Sequence, residues 1–142
     1  MVTKYQKLIS GPLVDRIDIH IGAPRADYEK LSGDWVGESS EAIRARVQAA
    51  RDIQQKCFSN NGSSDIICNA DMRIGEIRQF CKLQDEGQSL MRAAMTQLNL
   101  SARAYHRILK LVRTIAYLTG SEEIQSPPLA EAQQYRPKIM MG

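Results

Sequence analysis

One stretch of this chain alternates with a period of two, and it sets the first limit on the fold. Ile17, Ile19 and Ile21 are separated by Asp18 and His20, so an extended segment here has one apolar and one polar face. The run stops at Gly22-Ala23-Pro24, and no second strand of comparable quality follows in the 142 residues. A lone strand leaves its main-chain donors and acceptors unpaired and is not stable by itself. The strand expected around residues 16–22 therefore belongs to a sheet outside this chain, or pairs with a partner copy. On either reading the chain looks like a piece cut from something larger, beginning inside a neighbouring domain. The body has to be built from helices.

From Ser39 onward the spacing is helical. Ser39 or Ser40 caps a helix carrying Ile43, Val47, Ala50, Ile53 and Cys57, which ends near Phe58. The segment from Ser59 to Asp65 is rich in turn formers and reads as a loop. Asp71 is placed to cap a short helix with Ile74, Ile77 and Phe80 on one side. A further helix runs from about Asp85 to Leu98, with Leu90, Met91, Ala94, Met95 and Leu98 inward. Ser101 caps a long helix that Gly120 closes. Ser126-Pro127 opens the last one, through Tyr135, with proline in the first turn where its missing N–H costs nothing. The expected fold is mainly α, a bundle of about five helices, with residues 137–142 as a frayed tail.

Composition excludes several classes. The apolar fraction of 43% and charged fraction of 25% are those of an ordinary globular chain. No apolar run is long enough to span a bilayer, and the N-terminus lacks the apolar stretch of a signal peptide, so no membrane partner is expected. Cys57, Cys68 and Cys81 are odd in number, widely spaced, and outside any C-x-x-C pattern. They read as small core residues of a reducing compartment, with the cytoplasm as the default location. There is no phosphate-cradling G-x-x-x-x-G-K-[ST], no H-E-x-x-H and no Cys/His zinc spacing, so no metal site is expected. His20 and His106 each lack a local nucleophile or ligand. The chain alone is not expected to be an enzyme and holds no cofactor of its own.

Charge is ordinary in sum and unusual in place. The net charge is +3, yet Leu100 to Gly120 carries Arg103, Arg107, Lys110 and Arg113 without one acid. On a helical wheel His106, Arg107, Lys110 and Arg113 fall in a band about 120° wide around Arg103. Ala104, Tyr105, Ile108, Leu111, Val112, Ile115 and Leu118 lie opposite. The wheel thus predicts a cationic face turned outward. Arg107, Lys110 and Arg113 suit a solvated face, a subunit contact or a phosphate or DNA contact. Arg103 differs because it follows the cap. The helix dipole disfavours a cation there, while the free N–H groups favour an anion, and a bound phosphate would relieve both.

The stretches GPLVDRIDIH, GESSEAIRARVQAAR, CNADM and LSARAYHRILKLVRTIAYLTGSEEI resemble the C-terminal region of magnesium-chelatase-like AAA+ ATPases, in particular the ComM/YifB branch. The resemblance spans about residues 8–136. It implies that residues 1–33 are the end of the AAA+ core and that residues 34–142 are the helical lid. It also implies that Arg16, in LVDRID, is the arginine finger reaching a neighbouring subunit's nucleotide, and that Arg103 is the sensor 2 arginine on the γ-phosphate. Without the resemblance, Arg16 would read as a partner of Asp15 or Asp18. The full-length protein implied is a ring-shaped, hexameric ATPase using ATP and Mg²⁺, with its own core, neighbouring subunits and DNA as partners. Walker A and Walker B would lie upstream. The alternatives are the lid of a true magnesium chelatase subunit, an autonomous nucleic-acid-binding module, and a protein–protein adaptor whose sheet a partner supplies.

Overall fold

A computed structural model of the chain describes residues 8, 11–14, 16–63 and 65–135. The expected frayed tail, 137–142, lies outside the described residues, as does Asp15. In chain order the elements are α1 (Gly11–Val14), α2 (Tyr28–Ser32), α3 (Ser40–Asn60), a 3₁₀ turn (Asn69–Asp71), α4 (Ile74–Phe80), α5 (Asp85–Leu98), α6 (Ala102–Leu118) and α7 (Ser126–Gln134). Helices α3–α7 form the expected bundle, and α6 is its centre. The core gathers Phe58, Met72, Ile77, Met91, Val112 and Leu129 with their neighbours, and each of these is buried.

Local chemistry explains most of the boundaries. Ser39 Oγ accepts a hydrogen bond from the Ala42 amide at 3.2 Å and starts α3. Ser101 does the same for Ala104 at 3.1 Å and starts α6. Helix α6 ends in a Schellman motif. Gly120 adopts φ +74°, its amide bonds to Tyr117 O, and the Ser121 amide reaches back to Ala116 O. Only a glycine takes that conformation without strain. Helix α5 stops on Asn99, the one non-glycine residue with positive φ among the described residues. The cap expected at Asp71 is not formed. Asp71 lies in the 3₁₀ turn, where its carboxylate accepts from the Cys68 amide, and α4 starts instead at Arg73, whose amide bonds to Glu76 Oε2 at 2.8 Å.

The strand expected around residues 16–22, with its sheet outside this chain or in a partner copy, is not confirmed. Residues 17–21 carry no ladder, and Ile17, Ile19 and Ile21 are exposed. The reason is the one that made a lone strand suspect, since no described segment offers an edge to pair with. The segment is pinned at one point, where the His20 amide donates to Tyr135 O at 2.8 Å. The single β-bridge among the described residues is elsewhere, between Leu83 and Ile124.

Two buried acids give the fold a pH signature. Burial pushes the Cys81 thiol up to about 11 from 9.0, and pushes the Tyr117 phenol up to about 12 from 10.0. Folding therefore favours the protonated form of each. Their contribution is fully present below about pH 9 and is lost as pH rises through 11 to 12. Urea melts are expected to give a lower midpoint at pH 11 than at pH 9, and the double replacement Cys81→Ala, Tyr117→Phe should flatten that fall. A midpoint that does not drop, or a drop the replacements leave unchanged, would contradict this origin.

Candidate functional site

Helix α6 carries every cation of the acid-free run, and the bundle treats them differently. Arg103 is the second residue of the helix, one past Ala102, and is exposed. Its side chain makes no ion pair or hydrogen bond with a described residue. Ser101 satisfies the Ala104 amide, but the amides at the start of a helix have no intrahelical acceptor. A free guanidinium thus stands beside free N–H groups, an arrangement that fits an anion such as a phosphate.

Arg107, one turn further on, is committed. Its Nε pairs with Asp18 Oδ1 at 2.8 Å, and its Nη2 donates to the main-chain carbonyl of Arg16. With the His20–Tyr135 bond, this straps residues 16–20 across α6 and the end of α7. Arg16 itself is exposed and makes no ion pair with a described residue. Asp18, one of the acids that could have neutralised it, is taken by Arg107. The strap therefore holds the Arg16 backbone next to the residue one helical turn from Arg103.

Lys110 donates from Nζ to Ala70 O at 2.8 Å and holds the 3₁₀ turn against α6. Asn69 Nδ2 reinforces this by donating to Thr114 Oγ1 at 2.9 Å. The prediction of an outward cationic face fails most clearly at Arg113, which is buried at 6% exposure. Its Nη1 donates to Glu122 O at 2.7 Å, and its guanidinium lies 4.1 Å over the Tyr117 ring. The physical reason is the chain reversal at Gly120. It folds the loop after α6 back onto the helix, so that the band of the wheel holding Arg113 is roofed over. A wheel assigns angle, not what lies above that angle. On the opposite face, Leu118 is exposed rather than packed.

Of the cations singled out from the sequence, Arg103 and Arg16 remain open to a ligand, while Lys110 and Arg113 are held by main-chain carbonyls. Sequence reasoning missed the partners: Asp18, Ala70, Glu122 and Tyr117. The signal for one was present, since Arg113 and Tyr117 are four apart and share a helix face. The described residues contain no group of three or more His, Cys, Asp or Glu arranged to hold a metal ion. No described helix is long and apolar enough to cross a membrane.

The chain is similar to known proteins over nearly its whole length. Residues 37–136 match the family described as magnesium chelatase, subunit ChlI C-terminal. Competence protein ComM of Haemophilus influenzae is 38% identical over 142 residues, covering 99% of this chain and 26% of that protein. The YifB protein of Escherichia coli K12 is 39% identical over 134 residues, covering 94% of this chain and 25% of its own. The YifB protein of Salmonella typhimurium is 32% identical over the same length. The chain thus spans about a quarter of the length of these curated relatives. With a family match from the start of the bundle to its last helix, the chain belongs to the magnesium chelatase subunit ChlI C-terminal family, in the ComM/YifB branch.

Proposed function

We propose that residues 34–142 are the helical lid of a ring-forming AAA+ ATPase, that residues 1–33 are the end of its ATPase core, and that Arg103 is the lid's contact to the γ-phosphate. The observation carrying this reading is that Arg103 is left without a partner at a capped helix start while the cations following it on α6 are engaged. A guanidinium held at a helix N-terminus stabilises charge developing on a transferring phosphoryl group. Bound ATP supplies the phosphoanhydride. Arg103 and the first amides of α6 bind and orient its negative charge. The described residues offer no carboxylate cluster for Mg²⁺, whose ligands would come from the upstream core.

Arg16 acts as the arginine finger in this reading. The Arg107 strap puts its backbone and Arg103 at the same end of α6, which favours both addressing one nucleotide. A finger reaches the neighbouring subunit's site, so Arg103 acts across the same boundary. The name of the Haemophilus relative, a competence protein, favours a motor that acts on DNA over metal insertion into a pigment.

In the full-length protein, Arg103→Ala is expected to cut ATP turnover about ten-fold or more, on the order of 1.4 kcal/mol of barrier. It should leave the urea midpoint of this domain unchanged. Turnover equal to wild type would remove the phosphate contact. Mixing Arg103→Ala subunits with subunits disabled in Walker A tests the direction. Recovered turnover means action across the boundary, and none means action within one subunit.

A further inference from the structure

A second cationic feature lies away from the acid-free run. Helices α4, α5 and α6 enclose a cleft of about 610 Å³, a volume within the range of small-ligand sites. Its floor is apolar, with Ile77, Met91 and Leu109 each 3% exposed or less, and Met95 and Tyr105 beside them. Its rim is cationic. Arg78 and Lys82 contribute from α4 and the turn after it, and Arg92 from α5. No carboxylate is among the lining residues, and these three side chains form no ion pair with a described residue. His106 also lines the cleft, and its buried Nδ1 has no hydrogen-bond partner.

Three like charges round one concavity repel each other, and an anion inside it would reverse that cost. An apolar floor under a cationic rim selects a molecule that is both anionic and apolar. The two methionines suit such an occupant because their flexible, polarisable side chains adapt to an aromatic surface. A bulk phosphate would satisfy the rim and leave the floor wet. A neutral aromatic would fill the floor and leave the rim unmatched.

We propose that this cleft binds a small organic anion with an aromatic or apolar body, its acid group between Arg78, Lys82 and Arg92 and its body on Met91, Met95 and Leu109. The site is separate from the one at Arg103, which is not among its lining residues.

The probe is 8-anilinonaphthalene-1-sulfonate, titrated into the 142-residue chain carrying ¹³C-methyl methionine. Saturable, one-to-one shifts of the Met91 and Met95 methyls are expected, with fluorescence rising in step. The double variant Arg78→Gln, Arg92→Gln should weaken binding by about ten-fold, as should replacing the probe with neutral 1-naphthalenemethanol. These positions are exposed, so the variant should keep its fold, checked by its urea midpoint. Arg103→Ala should bind the probe as wild type does, which separates this site from the phosphate contact. Several results would overturn the proposal: no saturation, equal binding of the neutral analogue, shifts that survive the double variant, or an oligothymidine or acidic peptide that shifts these methyls when the free sulfonate does not.

Discussion

Replacing Arg113 with alanine is expected to destabilise the fold by about 2–3 kcal/mol, although the helical wheel assigns the residue to an outward face. The replacement removes a charged hydrogen bond to Glu122 O and the stacking on Tyr117. It also leaves a void where the stem of the side chain packed. Part of this loss is offset because a buried charge no longer has to be desolvated. Arg113→Met keeps the stem and drops the charge, so it should cost less than alanine. The effect should localise. The reversal between α6 and α7 is held by Arg113 at Glu122 O and by Gln84, whose Nε2 donates to Glu123 Oε2 at 2.7 Å. Amide exchange from Ser121 to Ile124 should rise in Arg113→Ala before the rest of the core opens. A urea midpoint within error of wild type would show that the buried guanidinium contributes nothing net.

Phe58→Ala is expected to cost about 3–5 kcal/mol, more than the loss of Arg113. Phe58 is 2% exposed and meets Phe80 edge-on, with ring centroids 5.2 Å apart. That pair joins the end of α3 to α4. The turn through Gly62 that follows is held by the main chain, where Phe58 O accepts the Ser63 amide at 3.0 Å, so the substitution leaves that bond in place and its cost comes from the side chain. Phe58→Leu fills most of the space and should cost about 1.5 kcal/mol or less. Chemical denaturation of the two variants checks both figures. A cost below about 1 kcal/mol for alanine would mean that the end of α3 packs far less tightly than its burial indicates.

What could be read from the sequence was what local chemistry controls. Ser39, Ser101 and Gly120 bound their helices where side-chain oxygens and a left-handed glycine require. Met91 and Ala94 face inward as their spacing implies. What could not be read depended on contacts far along the chain. Ile43 and Val47 continue the apolar stripe of α3 but are 41% exposed, because the front of that helix extends past the bundle. Leu90 is 40% exposed although it lies in mid-helix, because it falls off the face of α5 that Gly87, Met91 and Ala94 bury. The candidate site divides in the same way. Arg103 could be found from its place after a cap. The engagement of Lys110 and Arg113 could not, because their acceptors are carbonyls of Ala70 and Glu122, and main-chain acceptors leave no mark in a sequence. The clefted side of α4 and α5 went unread, since its cations are scattered over two helices rather than gathered in one run.

The strap formed by Arg107 also governs the segment C-terminal to it in the clamp. Residues 21–39 are exposed throughout, and they run between two fixed points, His20 on Tyr135 and the Ser39 cap of α3. In polymer terms this is a closed loop, and doubling its length would add only about 0.6 kcal/mol of closure entropy. Its length is therefore nearly free to vary. The position of Arg16 is then set by the clamp at Asp18 and not by the loop, so a displacement of α6 carries Arg16 with it however long the intervening chain becomes.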